Sequence, residues 1–174
     1  MDMLLIAAVI VVLCFGYVVL FGAPYVPTLA RQSEEAFDML GLQKGDTLLE
    51  LGSGDGRFLA AAAKKGIHTV GYELNPLLVL WTKLRYWKYR KLISVKWRNF
   101  WSAEWPKSDG IYVFLLDKYM KKLDTKVVQY LDMNDTVKEL KLVSYTFTIP
   151  GKSAERSSQG LHLYIYHKST TSTY

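Results

Sequence analysis

Cysteine is nearly absent from this 174-residue chain: the single one, Cys14, lies in its most apolar stretch. One thiol can form neither an internal disulfide nor a cysteine metal centre, so a disulfide-stapled scaffold is excluded and a reducing compartment fits. Histidine is scarce too. His68, His162 and His167 fall in separate segments with no ligand spacing, so no metal is expected. Internal repeats are lacking. Acidic side chains are outnumbered, 16 Asp and Glu against 22 Lys and Arg, which leaves a formal net charge of +6. That balance favours anionic surroundings, whether lipid headgroups, nucleic acid or an acidic partner, and says nothing about fold. Hydrophobic residues make up 50% of the chain and aromatics 14%, enough for a real core, so disorder is excluded. The length suits one ordinary domain with a short appendage.

Charge is wholly missing from Met3 to Gly22, where the run Leu4-Leu5-Ile6 through Val18-Val19-Leu20-Phe21 is almost entirely aliphatic or aromatic. About 20 such residues at roughly 1.5 Å rise match the ~30 Å hydrocarbon core of a bilayer, so residues 3–22 read as one transmembrane helix. A cleaved signal peptide would carry Lys or Arg in its n-region, whereas this terminus carries Asp2. A buried core helix is the plain alternative, but a helix apolar on every face suits lipid better than a small domain. The acidic terminus and the basic bulk beyond favour N-outside, C-inside, although only Arg31 stands near the end of the run, beside Glu34 and Glu35.

Pro24 and Pro27 around Tyr25 make residues 23–32 a connector rather than helix. Ser33 can N-cap a short helix closing at Leu40-Gly41, which completes a unit over 23–45. A main domain then covers 46–168, and 169–174 is a frayed tail. Within the domain, strands are expected at 47–51, 68–74, 93–98, 110–116, 140–149 and 161–168. Helices are expected at 57–65, from Pro76 to about Lys91, and at 118–131. Alternation of this kind implies an α/β fold with a mostly parallel sheet covered on both faces. The last two strands, joined without a helix, form an antiparallel C-terminal edge.

The informative segment is Glu50-Leu51-Gly52-Ser53-Gly54-Asp55-Gly56-Arg57, which leaves a strand and enters a helix. A glycine turn at the carboxyl end of a strand lets backbone approach a ligand closely. Glu73 ends the next strand, near the ~20-residue distance at which an acid reaches ribose hydroxyls. A dinucleotide fingerprint needs G-x-G-x-x-G, but here the third glycine comes one place early and Arg57 stands where it should fall. Glu50 and Asp55 crowd the turn, where they would repel a pyrophosphate and attract a cation. S-adenosylmethionine, which carries a sulfonium and an ammonium, fits that charge pattern better.

At these residues the chain resembles the class I S-adenosylmethionine-dependent methyltransferases. Glu50-x-Gly52-x-Gly54-x-Gly56 looks like their first motif, and Gly71-Tyr72-Glu73 like their ribose-binding acid. The apolar run followed by Ala23-Pro24-Tyr25-Val26-Pro27-Thr28 narrows the likeness. So do Gly71-Tyr72-Glu73-Leu74-Asn75-Pro76 and Asn99-Phe100-Trp101. They resemble a protein lysine methyltransferase family whose mitochondrial members modify the ATP synthase c-subunit and the adenine nucleotide translocase. The resemblance implies a Rossmann-like class I sheet, S-adenosylmethionine as cofactor and a membrane-protein substrate. By it, Glu50, Gly52, Gly54 and Gly56 would cradle the methionine half, Glu73 the ribose and Asn99 the adenine, while Tyr25 and Thr28 would close the pocket. The cofactor is made in the cytosol, so the domain is expected on the cytoplasmic side of its membrane, or the matrix side in an organelle.

Lysine methylation needs a neutral amine, so a carboxylate or phenol beside the acceptor is useful. Asp117 and Tyr119, at the carboxyl end of the fourth strand, are the candidate catalytic pair. The plain alternative is that Asp117 caps the following helix. Some methyltransferases carry an Asn-Pro-Pro-Tyr loop at this point, whereas here the strand ends Leu116-Asp117-Lys118-Tyr119. After Pro76, Trp81, Lys83, Arg85, Tyr86, Trp87, Lys88, Tyr89, Arg90 and Lys91 interleave rings with cations. Such a helix serves a lipid surface, single-stranded nucleic acid, or only a solvated basic face. The lipid bilayer is the expected partner and nucleic acid is not. Three other functions compete with lysine methylation: methylation of a lipid or small apolar acceptor, a non-catalytic tethered cofactor-binding module, and, more distantly, a nicotinamide dehydrogenase.

Overall fold

The computed structural model describes residues 30–168, together with residues 3, 5, 6 and 9 near the N-terminus. Helices α1 (Ala30–Leu40), α2 (Arg57–Lys64), α3 (Pro76–Arg85) and α4 (Met120–Met133) accompany seven strands. These are β1 (Thr47–Leu51), β2 (His68–Glu73), β3 (Ile93–Trp97), β4 (Gly110–Val113), β5 (Glu139–Tyr145), β6 (Arg156–Ser158) and β7 (Leu161–His167). They form one sheet in the order β3-β2-β1-β4-β5-β7-β6. β1 to β5 are parallel, and β7 runs antiparallel to both β5 and β6.

β1 is buried from Leu48 to Leu51, Glu50 included, and every residue of β4 is buried, which marks both as central strands covered on both faces. On one face α1 and α2 meet the sheet through stacked rings: Phe37 on Phe58 at 4.7 Å and Phe58 on Tyr112 of β4 at 3.9 Å. Beside them Leu59, Val79 and Val95 join α2, α3 and β3. On the other face α4 buries Met120, Leu123, Val127, Tyr130 and Leu131 against Ile111, Leu142 and Tyr164. The order of strands reverses between β1 and β4, so their carboxyl ends open a crevice where open α/β sheets bind ligands.

The expected antiparallel C-terminal edge is present, with a short outer strand, β6, added beyond β7. The membrane helix expected over residues 3–22 is corrected: no helix among the described residues is long and apolar enough to cross a membrane. The longest of α1 to α4 has 14 residues, roughly 21 Å of rise against a ~30 Å hydrocarbon core. Apart from residues 3, 5, 6 and 9, the expected span lies outside the described residues, as do Tyr25, Thr28 and the tail from 169.

Candidate active site

The glycine turn is built against β2. The amides of Gly52 and Ser53 both donate to the Tyr72 carbonyl, at 3.0 and 2.9 Å, and the Gly56 amide closes the turn on the Ser53 carbonyl at 2.9 Å. Gly52, Gly54 and Gly56 all take positive φ, at 90°, 52° and 74°, a region that costs other residues energy. Their surroundings differ, though. A Cβ on Gly52 would meet nothing within 4 Å among the described residues, so toward them its backbone is uncovered. A Cβ on Gly56 would come within 2.3 Å of the Thr82 side chain of α3. Gly56, expected to cradle a ligand, is therefore fixed first by close helix packing and by its place at the N-cap of α2.

Glu50, in β1, is buried, and its Oε2 has no hydrogen-bond partner among the described residues. Burial, then the charges of Asp55 and Glu73, hold its pKa well above the usual carboxylate range, and the Leu59 amide offsets part of that rise. Asp55 is engaged by Arg57 of the same turn at 2.7 Å. Glu73 lies at the end of β2. Its Oε2 accepts from the Gly54 amide and its Oε1 from the amides of Leu74 and Asn75, each at 2.8 Å. It thus ties the glycine turn to the start of α3, and burial raises its pKa while these three amides hold the rise in check. Oε2 keeps a second lone pair for a ribose hydroxyl.

Asn75, missed as a site residue in the sequence, N-caps α3 by accepting from the Leu77 amide at 3.0 Å, while its buried Nδ2 has no partner among the described residues. Its place before Pro76 at a helix start was the available signal. Thr82 was missed as well. It sits mid-helix, and no local pattern reveals that it abuts Gly56. Thr146, just past β5, holds φ at 75°, a strained value for a β-branched residue.

A second corner gathers the loops after β3 and β4. Asn99 is exposed and accepts from the Trp101 amide at 2.9 Å, so it shapes the turn expected beside the adenine. Asp117 and Tyr119 lie in a one-turn 3-10 helix after β4. Asp117 is exposed, and the residue capping that turn is Leu116 without a side-chain bond, so the plain capping role is not the one the structure gives it. The Tyr119 ring meets Trp101 at 6.0 Å, which brings the β3 and β4 loops together. Lys126 of α4 holds that corner by donating to the carbonyls of Trp101 at 3.0 Å and Ala103 at 3.2 Å. The structure thus joins Glu50, Glu73 and the three glycines in one cluster, and Asn99 and Tyr119 in another. Two hollows of about 470 and 520 Å³ flank Trp105 and are lined by neither the glycine turn nor Glu50.

The residues present fit a cationic, ribose-bearing ligand. Among the described residues a buried carboxylate oxygen without a partner leads into a glycine turn that is uncovered at Gly52, and an acid ends the neighbouring strand. A sheet of this order with such a turn at its reversal point is a class I methyltransferase domain. An RNA methyltransferase from Salinibacter ruber, solved in complex with S-adenosyl-L-homocysteine, shares the fold with a TM-score of 0.69 at 22% identity, over 82% of this chain and 93% of that one. More narrowly, residues 50–156 match the family model of the ANTKMT methyltransferase domain, and the chain belongs to that family. It is 36% identical over 111 residues to the Homo sapiens lysine N-methyltransferase of the ATP synthase c-subunit, 63% of this chain and 47% of that protein. It is 33% identical over 130 residues to the adenine nucleotide translocase lysine N-methyltransferase of Mus musculus, 73% of this chain and 54% of that protein. The chain therefore spans about half the length of these curated relatives.

Proposed function

We propose that this protein transfers a methyl group from S-adenosylmethionine to the side-chain amine of a lysine in a membrane protein. The observation that carries the reading is Glu50: among the described residues, a buried carboxylate with a free oxygen, two places before a glycine with nothing where a side chain would be. The relatives supply the substrate class: one is named for the ATP synthase c-subunit and one for the adenine nucleotide translocase, each as a lysine N-methyltransferase.

When bound, the cofactor supplies an electrophilic methyl on a sulfonium. This chain's residues bind and orient. Glu50 holds the ammonium, Gly52 and Gly54 admit the methionine half against backbone, Glu73 accepts from the ribose, and the turn at Asn99 borders the adenine. Lining up the acceptor nitrogen behind the methyl and excluding water are the main tasks, because neither partner needs covalent activation. The acceptor lysine must arrive neutral: on the β4 side the Asp117 carboxylate can take its proton, and the Tyr119 phenol oxygen can accept a hydrogen bond from the amine. Tyr25 and Thr28, outside the described residues, are assigned to the pocket by the family resemblance alone. The domain works on the cytoplasmic or matrix face of the membrane that holds its substrate, where the methyl donor is available.

The test uses the purified full chain, methyl-labelled S-adenosylmethionine and membranes from its own source. Label is expected in a membrane protein and, after acid hydrolysis, in methyllysine. Label confined to the organic extract would replace lysine with a lipid acceptor, and no transfer to any fraction would overturn the enzyme reading.

A further inference from the structure

Of the described residues from 30 to 168, those with large, exposed apolar side chains are Leu80, Trp81, Leu84, Trp87, Trp97, Val128 and Met133. Single exposed apolar residues are ordinary, but the first five gather on α3, the 3-10 turn after it (Trp87–Tyr89) and the end of edge strand β3. Leu84, Trp87 and Trp97 are 66%, 62% and 65% exposed, so nothing among the described residues covers them. At about 100° per residue, Leu77, Leu80, Trp81 and Leu84 fill an arc opposite the buried Val79 and Thr82. Lys83 and Arg85 lie on its two sides.

Charge along this stretch has one sign, although Glu104 shares a hollow with Lys96 and Trp97 at its β3 end. Between Lys83 and Lys96 every ionic side chain is a cation: Lys83, Arg85, Lys88, Arg90, Lys91 and Lys96. The nearest acids along the chain are Glu73 and Glu104, and these six cations equal the whole formal net charge of +6. Across the packing interface α2 adds Lys64, while Arg57 and Lys65 are paired with Asp55 and Glu34, each at 2.7 Å.

We infer that the α3 face, from Leu80 to Trp97, docks on an anionic lipid bilayer. A leucine ridge flanked by rings and cations is what an interfacial helix presents: apolar atoms enter the acyl boundary, rings sit at headgroup depth, and cations meet lipid phosphates. Nucleic acid fits less well. Arg85 already lies over Trp81 at 5.5 Å and Arg90 over Trp87 at 4.8 Å, so the ring faces needed for base stacking are engaged, and the ridge centre is aliphatic. A second copy fits less well still, since six cations would face six. A protein partner would meet a surface rich in lysine, which interfaces avoid. The patch also adjoins the site. Trp97 Nε1 donates to the Leu74 carbonyl at 3.0 Å, next to Glu73, so docking here sets the cofactor side of the domain at the membrane plane. This extends the proposed action on a membrane protein, but it needs no acceptor to be tested.

The experiment uses the full chain and vesicles of phosphatidylcholine alone or with about one-third phosphatidylserine, their acyl chains brominated to quench nearby tryptophan. Quenching is expected on the anionic vesicles, weaker on neutral ones and reduced by salt. In Lys83→Gln/Lys88→Gln/Lys91→Gln the association read by quenching should fall by roughly a hundredfold, at about fivefold per cation. The same three positions changed to Arg should keep it. Whatever the N-terminal residues contribute to vesicle binding is common to all three proteins. Equal quenching in wild type and the Gln variant would overturn the inference. So would loss of single-stranded RNA binding in that variant with vesicle quenching unchanged, or a wild-type dimer that Leu84→Ser abolishes. Failure on these protein-free vesicles leaves the proposed methyl transfer untouched.

Discussion

Changing Glu50 to glutamine should make the cofactor-free protein more stable and the cofactor weaker bound. Glu50 is 5% exposed and its Oε2 has no partner among the described residues. Burial first, and then Asp55 and Glu73, raise its pKa well above the usual carboxylate range. The folded protein therefore keeps a proton that the unfolded chain has already released, so stability falls as pH rises from the unfolded value through the folded one. Glutamine keeps the shape and removes the charge. Glutamine has no proton to lose and so escapes the pH-dependent cost of burying the charge, and a gain of about 1–2 kcal/mol is expected near pH 8. For a domain of this size that is a rise in Tm of roughly 3–6 °C, shrinking toward zero near pH 4, where both states hold the proton. Affinity for S-adenosylmethionine should move the other way. Loss of one charge-assisted hydrogen bond, about 1.5–3 kcal/mol, weakens binding by roughly 10–100-fold. Thermal melts across pH and calorimetric titration read the two effects separately. A Glu50→Gln protein that melts lower near pH 8, or that binds the cofactor as wild type does, would refute this account of Glu50.

Gly56→Ala should destabilise by about 2–4 kcal/mol, because it combines a left-handed backbone with a 2.3 Å approach to Thr82. Adding Thr82→Ala should restore part of that loss in a denaturant titration, but not the strain. Thr146→Gly, at an exposed position with φ of 75°, should stabilise by about 1 kcal/mol, seen as a higher denaturation midpoint with an unchanged slope. Lys126→Met removes the two bonds to the Trp101 and Ala103 carbonyls and should cost about 1 kcal/mol. Amide exchange should then quicken in residues 99–105 before the strands respond.

Much of this fold could be read from the chain because its signals are local. A buried strand, an acid, a glycine turn and a helix follow one another from Thr47 to Lys64, and β1, β2 and β3 lie within a residue of their expected bounds. What escaped depends on distant contacts. The helix expected to run to Lys91 stops at Arg85, because the chain must turn through Trp87–Tyr89 to enter β3 at Ile93. β5 ends at Tyr145 rather than Ile149 because Thr146 turns left-handed, with its amide bonded to the Gly160 carbonyl at 2.6 Å. β6 has three polar, mostly exposed residues and no periodicity to detect; it exists because β7 offers an edge. The α1 start at Ala30 precedes the Ser33 cap because Ser33 is buried inside the helix. At the site, the acids and Gly52 were visible as types at a spacing. The division of labour was not: Gly56 answers to Thr82, and Glu73 spends three bonds on backbone amides.

The most direct test of the central claim is calorimetric titration of S-adenosylmethionine and S-adenosylhomocysteine into the full chain and into Gly52→Ala, with circular dichroism to confirm that both are folded. The Gly52 backbone, uncovered among the described residues, is where a ligand would approach, so a methyl there should cut affinity at least about tenfold, with little effect on the sheet. Micromolar binding by wild type that Gly52→Ala loses is the predicted result. A folded wild-type protein that binds neither compound would contradict the account.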